Sequence, residues 1–375
     1  MGRSLSERKH PTMGAGGKSA SAAMALILSV LMAGCGGDSG GGGSTSSNGV
    51  WVANRVSNTL AAFSASVSKH SGAPAATRLN QSANLLTPEG ITFDKGNNVW
   101  VSNCSGSDDF SGSISKFTAS QLHNLKKDPM PTADLELLDD GARDVFNCPY
   151  GLEFDKSGNL WATNRFTPNL ISFSPAQLKQ GGVMLPDTII TSSEFGDPED
   201  ITIDKSGAMW IADASFPGVL EYKEATLAAA IGTTSDIDPD IIITSADVDS
   251  ATAVALDSNG NLWVANCGFN DVVVMFSASD LSTSGSKTPA IKLQATTVST
   301  PTGTAFSLDC PEGLTFDHSG NLWVSNATSD TFGSLIKFTK SQLAASGTPS
   351  PAVFLDADAT GTNLNQPVLI DFGPL

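Results

Sequence analysis

Residues 311–324 read PEGLTFDHSGNLWV, and variants of this stretch recur along the whole chain. The last part of the stretch occurs six times. It consists of an apolar residue, Trp, a second apolar residue, a small residue and then Asn or Asp. It contains all six tryptophans: Trp51, Trp100, Trp161, Trp210, Trp263 and Trp323, at intervals of 49, 61, 49, 53 and 60 residues. Intervals of this length are typical of propeller blades and too long for helical-hairpin repeats.

Each repeat carries signals for four strands. An apolar strand and a tight Asp- and Gly-containing turn precede five of the six tryptophans, as at 149–159, which predicts a β-hairpin. A third β-rich segment follows, as at 113–117, then a short phrase with a helical capping box, as at 118–122. A Pro-led apolar stretch such as 188–191 gives the fourth strand. Four antiparallel strands in six repeats predict an all-β, six-bladed β-propeller.

The two ends of the repeat array complement each other. The first repeat begins at its tryptophan strand and lacks a first strand of its own, whereas the strand-like stretch 366–372 stands after the sixth repeat. We therefore expect the C-terminal strand to complete the first blade and close the ring. Closure would leave no long sheet edge exposed.

The N-terminal region predicts export. Basic residues within 1–18 precede the apolar run 20–33, which is too short to span a bilayer and typical of a signal-peptide core. The run ends in LMAGC (31–35), which resembles the lipobox of bacterial lipoproteins; an ordinary secretory signal is the alternative. We expect a signal peptide over 1–34, lipidated Cys35 with a Gly/Ser tether over 35–48, and the propeller over 49–375. The resemblance implies anchoring in the bacterial cell envelope, at the outer membrane because Gly36 rather than Asp follows the cysteine.

The amino-acid composition limits the classes of partner that the protein can bind. Of 375 residues, 40% are hydrophobic and 16% are charged, which suits a folded, soluble body. The formal charge of -17 would repel a phosphate backbone, so nucleic-acid binding is excluded. Four histidines argue against histidine-rich metal or acid–base chemistry. We expect a monomer that contacts the membrane through its anchor.

Four further cysteines test the repeat register. Cys104 and Cys267 each follow the Asn that ends a tryptophan strand, and Cys148 and Cys310 each precede the Pro that opens the next blade. These positions lie at the same rim, which we call the cysteine-bearing rim. We therefore expect disulfides Cys104–Cys148 and Cys267–Cys310 between neighbouring blades, which an oxidising compartment would preserve. The alternative is four unrelated buried thiols.

Oxygen-bearing side chains are expected at this rim. If Phe93 faces Val99 across the turn, then Glu89 faces Asn103. The same arithmetic gives the pairs Glu199 with Asp213, Glu312 with Asn326, Tyr150 with Asn164 and Thr252 with Asn266. Because first strands line the central channel, the glutamates should lie near the axis. Their carboxylates, together with the side-chain oxygens of Asn103, Asp213 and Asn326, would suit Ca²⁺. The alternative is a set of solvated residues at the channel mouth.

The 311–324 phrase resembles NHL-type repeats and the blade phrase of the senescence-marker-protein/gluconolactonase family of six-bladed calcium propellers. In that family an acid or amide between the Pro/Ser and the Gly of the phrase binds the catalytic metal. The resemblance therefore implies Glu89, Glu199 and Glu312 as ligands and a hydrolase of lactone or phosphoester type. The sequence departs from the family where Asp200 replaces the Gly, where Tyr150 and Thr252 stand at ligand positions, and in lacking the family's N-terminal Glu motif.

Streptogramin lyases are propellers of a related repeat type, and their chemistry is centred on histidine. Here His70 and His123 are expected in loops, and His318 in a hairpin turn at the opposite rim. The sequence argues against that chemistry.

The function we expect is binding of a small molecule or a protein at the cysteine-bearing rim, and Ca²⁺ is the candidate cofactor. The alternatives are a Ca²⁺-dependent hydrolase that uses the channel and a structural envelope scaffold. For the tryptophans, packing between blades is favoured over a ligand-stacking surface, because identical placement in every blade serves a symmetric core.

Overall fold

The computed structural model describes residues 48–64, 71–104, 112–139, 146–300, 303–327, 333–357 and 364–375. The expected signal peptide, Cys35, most of the tether and His70 lie outside these ranges. Within them, no helix combines the length and apolarity needed to cross a bilayer. The described residues form the all-β, six-bladed propeller that the repeat predicts.

Blades 1 to 3 each have four antiparallel strands running from the axis outward. Blade 1 has β29 (Pro367–Pro374) innermost, then β1 (Asn48–Asn54), β2 (Thr59–Ser64) and β3 (Arg78–Asn80). Blade 2 has β4 (Pro88–Phe93), β5 (Val99–Asn103), β6 (Ser113–Phe117) and β7 (Leu135–Leu138). Blade 3 has β8 (Pro149–Phe154), β9 (Leu160–Asn164), β10 (Asn169–Phe173) and β12 (Thr188–Thr191).

Blades 4 to 6 repeat the pattern. Blade 4 has β13 (Pro198–Ile203), β14 (Met209–Asp213), β15 (Gly218–Tyr222) and β17 (Ile241–Thr244). Blade 5 has β18 (Ala251–Leu256), β19 (Leu262–Asn266), β20 (Val272–Phe276) and β22 (Ile291–Gln294). Blade 6 has β25 (Pro311–Phe316), β26 (Leu322–Asn326), β27 (Ser334–Phe338) and β28 (Val353–Asp356). Between blades 5 and 6 lies a hairpin that the sequence did not indicate, β23 (Thr297–Thr300) with β24 (Gly303–Phe306).

The innermost strands form a closed ring. Each packs against its two neighbours in the order β29, β4, β8, β13, β18, β25 and back to β29. The C-terminal strand pairs antiparallel with β1, which confirms the predicted closure. All six strands line a central channel with a volume of about 230 Å³.

The connections between third and fourth strands reach back to the preceding blade. They contain α1 (Ala119–Asn124), α2 (Gln177–Gln180), α3 (Glu224–Ala230) and 3-10 turns at Asp280–Ser282 and Gln342–Ala344. Short strands follow and pair parallel with an outer strand: β11 (Gly182–Val183) with β7, β16 (Thr234–Asp236) with β12, and β21 (Gly285–Ser286) with β17. Blades 2 to 4 therefore have five strands rather than four, and the added strands cover outer edges that would otherwise be unpaired. The predicted capping box is present at Thr118 and Gln121, and His123 lies in α1 rather than in a loop.

The tryptophans pack between blades, as their periodic placement predicts. Each is at most 2% exposed. Three contact a phenylalanine of the next blade edge-on, with ring centroids 6.0, 6.0 and 6.1 Å apart: Trp51 with Phe93, Trp100 with Phe154, and Trp263 with Phe316. The interfaces between blades are thus the hydrophobic core.

The opposite rim, which we call the turn rim, is formed by the inner hairpin turns at 94–98, 155–159, 204–208, 257–261 and 317–321. His318 lies here, as expected. Lysine side chains link consecutive turns: Nζ of Lys95 donates to the Lys156 carbonyl, and Nζ of Lys156 to the Lys205 carbonyl. The two rims therefore differ in construction, and only the cysteine-bearing rim carries the disulfides.

Both predicted disulfides form. Cys104 bonds to Cys148 and Cys267 to Cys310, with Cα atoms 4.1 and 4.4 Å apart. The first joins blades 2 and 3, and the second joins blades 5 and 6. The repeat register inferred from the cysteines is confirmed.

Candidate functional site

The innermost hairpins contain a β-bulge near the cysteine-bearing rim, and it changes the predicted register. Phe93 lies opposite Val99 as expected, but Asn103 lies opposite Pro88 rather than Glu89. The other four expected pairs are also wrong, each by a shift of one residue along the inner strand. Asp213 lies opposite Pro198, Asn326 opposite Pro311, Asn164 opposite Pro149 and Asn266 opposite Ala251. The cause is one extra residue on the inner strand, which turn arithmetic does not count.

The strand-end Asn and Asp side chains bond to loop backbone. The carboxylate of Asp213 accepts hydrogen bonds from the amides of Gly196, Asp197 and Ser215 at 2.8, 2.8 and 3.0 Å. Asn266 and Asn326 accept from loop amides in the same way, and Asn103 accepts from the amide of Leu86. Nδ2 of Asn164 donates to the Thr167 carbonyl. These side chains hold the connections between blades, which is the structural role for strand-end polar residues.

The glutamates meet around an arginine that the sequence analysis did not identify. Arg55 follows the last residue of β1, and its Nε donates to both carboxylate oxygens of Glu89 at 2.9 Å. Its Nη2 donates to the Tyr150 hydroxyl at 2.6 Å and to Oε2 of Glu312 at 3.3 Å. The same hydroxyl donates to Glu312 Oε2 at 2.9 Å. Residues from blades 1, 2, 3 and 6 are thereby joined near the axis.

A second arginine completes the cluster from blade 3. Arg165 follows Asn164, and it contacts Asp197 through Nε at 2.7 Å and Glu199 through Nη2 at 3.2 Å. Its guanidinium carbon lies 5.5 Å from the centre of the Tyr150 ring, and that of Arg55 lies 5.9 Å away. We call Arg55, Glu89, Tyr150, Arg165, Asp197, Glu199 and Glu312 the arginine–glutamate cluster.

Burial dominates the electrostatics of this cluster. It raises the pKa of Glu89 to about 7, although Arg55 opposes the shift. It also raises the pKa of Glu199 well above its ordinary value, with a further contribution from Glu312 and an opposing one from Arg165. Oε2 of Glu199 is buried without a hydrogen-bond partner among the described residues. Burial thus shifts both carboxyls towards their protonated forms, and the arginines oppose the shift.

The cluster does not fit the calcium site that the resemblance implies. Two guanidiniums lie among the three glutamates, so a cation placed there would meet positive charge. Within the described ranges, no group of three or more His, Cys, Asp or Glu side chains is placed to hold a metal ion. Thr252, the remaining predicted rim residue, donates its hydroxyl to the Pro311 carbonyl at 2.6 Å instead of joining the cluster. What the cluster offers to a ligand is hydrogen-bond donors beside an aromatic ring.

A sequence signal for the missed arginines does exist. The residue after the repeat's Asn or Asp is, from blade 1 to blade 6, Arg55, Cys104, Arg165, Ala214, Cys267 and Ala327. Two positions in this series form disulfides, and two more are cationic in an acidic chain. If the aligned repeat is extended by one residue beyond the Asn or Asp, both arginines fall at the rim where the glutamates are predicted.

Three more carboxyls lie deeper in the central channel. Burial raises the pKa of Glu153 to about 8, of Asp200 to about 7 and of Asp371 to about 6. Asp200 stands where three other blades have Gly, and its carboxylate accepts from the amide of Val254 in blade 5 at 3.0 Å. The departure from the repeat at this position thus supplies a bond between blades.

Solved structures resemble this chain at low sequence identity. A protein of unknown function from Bacteroides caccae is 9% identical, with a TM-score of 0.52, and the match covers 88% of this chain and 99% of that one. Streptogramin B lyase is 10% identical, with a TM-score of 0.45 and coverage of 87% and 84%. Catalytically inactive virginiamycin B lyase from Staphylococcus aureus with quinupristin is 11% identical, with a TM-score of 0.43 and coverage of 84% and 85%. No protein-family model and no curated protein matches the sequence. The first of these likenesses supports the fold, and none extends to function.

Proposed function

We propose that this protein is an exported, lipid-anchored binding module of the bacterial cell envelope, whose ligand docks on the cysteine-bearing rim over the arginine–glutamate cluster. The observation that carries the proposal is the burial of Glu89, Glu199 and Tyr150 beneath two arginines. Those glutamates and the tyrosine are at most 3% exposed, whereas the side chains of Arg55 and Arg165 are 23% and 30% exposed.

The propeller itself does not need this cluster. The equivalent inner-strand positions of blades 1 and 5 hold Val368 and Thr252, and the inner strands of those blades also pack into the closed ring. Ionisable groups taken out of water cost free energy that their mutual attraction repays only in part. A buried polar cluster at the mouth of a channel is therefore better explained by recognition than by stability.

The exposed guanidinium edges indicate the chemistry of the ligand. Arginine is a donor without an acceptor, and its planar fork matches carboxylates and related groups. We infer a small molecule or protein segment that presents hydrogen-bond acceptors, carboxylates above all, towards Arg55 and Arg165. Support for export comes from the lipobox-like 31–35 stretch and from two disulfides, which persist in oxidising compartments.

A thermal-shift screen tests the binding proposal. The mature protein would be melted with organic acids, sugar acids, short peptides and Ca²⁺, each at millimolar concentration. A ligand at 100 times its Kd should stabilise the fold by about 2.7 kcal/mol, a rise of several degrees in Tm. The rise should disappear in Arg165→Gln and persist in Lys127→Gln, which changes an exposed lysine elsewhere. A chain that no acceptor-bearing compound stabilises, or that keeps its response in Arg165→Gln, would leave the scaffold alternative in place.

A further inference from the structure

Among the described residues, grooves open on the turn rim at the junctions between consecutive blades from 2 to 6. Their volumes are about 730, 450, 730 and 550 Å³ for junctions 2/3, 3/4, 4/5 and 5/6. Cavities of roughly 300–1,000 Å³ are the usual size for small-molecule sites. All four lie on the opposite rim from the arginine–glutamate cluster.

The groove between blades 2 and 3 differs from the others in charge. It is lined by Lys95, Lys116, Lys156 and Lys179, and we call it the lysine groove. Each of the other three grooves is lined by a single lysine: Lys156, Lys205 or Lys340. In a chain with a formal charge of -17, this concentration of ammonium groups stands apart from its surroundings.

Most of these ammonium groups are not neutralised by a partner. Within the described ranges, Lys116 is the only one of the four in an ion pair, with Asp134 at 3.0 Å. Lys95 and Lys156 donate to backbone carbonyls, which leaves their charge in place, and Lys179 is exposed. They face a groove with room for a counter-charge.

The acids of the groove are engaged elsewhere. Asp94 accepts from Nε1 of Trp100 and from the backbone of its own turn, and Asp155 accepts from Nε1 of Trp161. Asp204 accepts from the amides of Gly207 and Ala208 in the same manner. Glu153 lines both the groove and the central channel, and burial together with Asp371 and Asp200 raises the pKa of its carboxyl to about 8, so that it is mainly neutral at pH 7. The groove thus has four lysines to three aspartates, and the aspartate oxygens already accept these hydrogen bonds.

Apolar side chains form the remaining wall. Phe93 and Phe154 line the groove together with Trp100 and Leu178, and Nζ of Lys116 lies 5.6 Å from the centre of the Trp100 ring. An apolar wall beside lysine ammonium groups that outnumber the aspartates is complementary to a molecule with a flat hydrophobic body and an anionic group.

We propose that the lysine groove is a second binding site, which takes an aromatic or polycyclic organic anion. The hydrophobic body lies against Phe93 and Phe154, and the carboxylate or equivalent anionic group lies among Lys95, Lys156 and Lys179. This site is independent of the proposed function at the cysteine-bearing rim, because the two lie on opposite rims and share no residue.

A matched pair of probes separates charge from shape. Binding of 2-naphthoate and of its neutral amide, 2-naphthamide, to the mature protein would be measured by ligand-observed NMR titration. We expect naphthoate to bind at least about fivefold more tightly than the amide and to weaken when salt is raised, because surface charges are screened. Equal binding of acid and amide would contradict the proposal, as would the absence of saturable naphthoate binding up to about 10 mM.

Two double variants locate the site. Lys95→Gln/Lys179→Gln removes two exposed charges from the lysine groove, and Lys205→Gln/Lys340→Gln removes two exposed charges from neighbouring grooves. The first should weaken naphthoate binding about fivefold, whereas the second should change it by less than about twofold. Because all four side chains are exposed, both variants should fold, and an unchanged Tm would verify this. Equal loss in the two variants would show that general surface charge holds the probe and would overturn the assignment.

Discussion

At the scale of single residues, Tyr150 holds the arginine–glutamate cluster together. Its hydroxyl accepts from Arg55 and donates to Glu312, so Tyr150→Phe removes a hydrogen bond from each of two charged partners. Bonds to charged groups contribute more than neutral ones, and we expect a loss of about 2–3 kcal/mol in the free energy of unfolding, measured in urea. Tyr222→Phe is the control, because that hydroxyl donates to a neutral carbonyl, of Ile237. An equal or smaller loss in Tyr150→Phe would mean that the cluster is not held by this hydroxyl.

Gly90 shows how closely neighbouring blades approach. A Cβ atom there would lie 1.9 Å from the Tyr150 carbonyl oxygen, which no shift of a flexible side chain can relieve. Blade 5 has Ala253 at the equivalent position. We expect Gly90→Ala to lower the free energy of unfolding by about 2 kcal/mol or more, as overpacking does, when unfolding is followed by tryptophan fluorescence. Ala253→Gly, the reverse change in blade 5, should cost only about 1 kcal/mol. Similar losses in the two variants would contradict the packing explanation.

At the scale of elements, the two disulfides make equivalent connections between blades. They close loops of 44 and 43 residues, for which the chain-entropy model gives about 4 kcal/mol each. The variants Cys104→Ser/Cys148→Ser and Cys267→Ser/Cys310→Ser should therefore lower stability by similar amounts in urea unfolding. Because the two bridges lie three blades apart, the losses should add in the fourfold variant. A loss confined to one pair would show that the other loop is already ordered before its bridge forms.

The elements also show what sequence reasoning can reach. The blades, the closure of the ring and both disulfides were predictable, because each rests on a feature repeated with the blade. The pairing of the two inner strands near the cysteine-bearing rim was not predictable. The hairpin turn fixes the pair Phe93 and Val99, but a bulge further along the inner strand adds one residue that the turn does not reveal. Arg55 and Arg165 were not predicted because they do not repeat: the position after the strand-end Asn or Asp is cationic in only two blades. Features that repeat in each blade predict the propeller, whereas residues that depart from the repeat form the arginine–glutamate cluster.

At the scale of the whole molecule, the carboxyls of the central channel set a pH dependence. Glu153, Asp200 and Asp371 have pKa values of about 8, 7 and 6 in the folded chain, raised above their ordinary values by burial. The folded state then binds more protons than the unfolded state between about pH 4 and pH 8, so stability is full below this range and falls as the pH rises through it.

The expected result is a lower Tm at pH 8.5 than at pH 5, by about 5 °C or more. Glu153→Gln, which mimics the protonated form, should flatten this dependence. Glu194→Gln is the matched control, because this glutamate is not among the channel-lining residues. A Tm that rises with pH, or a slope unaffected by Glu153→Gln, would contradict the assignment of these groups.

The lipid attachment that the 31–35 stretch predicts can be tested separately from both proposed sites. If Cys35 is lipidated, the membrane attachment lies in the chain ahead of the propeller and not in either proposed site. The wild-type chain expressed in a bacterial host should then fractionate with the outer membrane and partition into detergent. Cys35→Ser should appear in the soluble periplasmic fraction with its two disulfides intact and its Tm unchanged, since Cys35 belongs to neither disulfide and to no blade strand. Retention of Cys35→Ser in the membrane fraction would place the attachment on the propeller itself, where a rim in contact with lipid could not bind a soluble ligand.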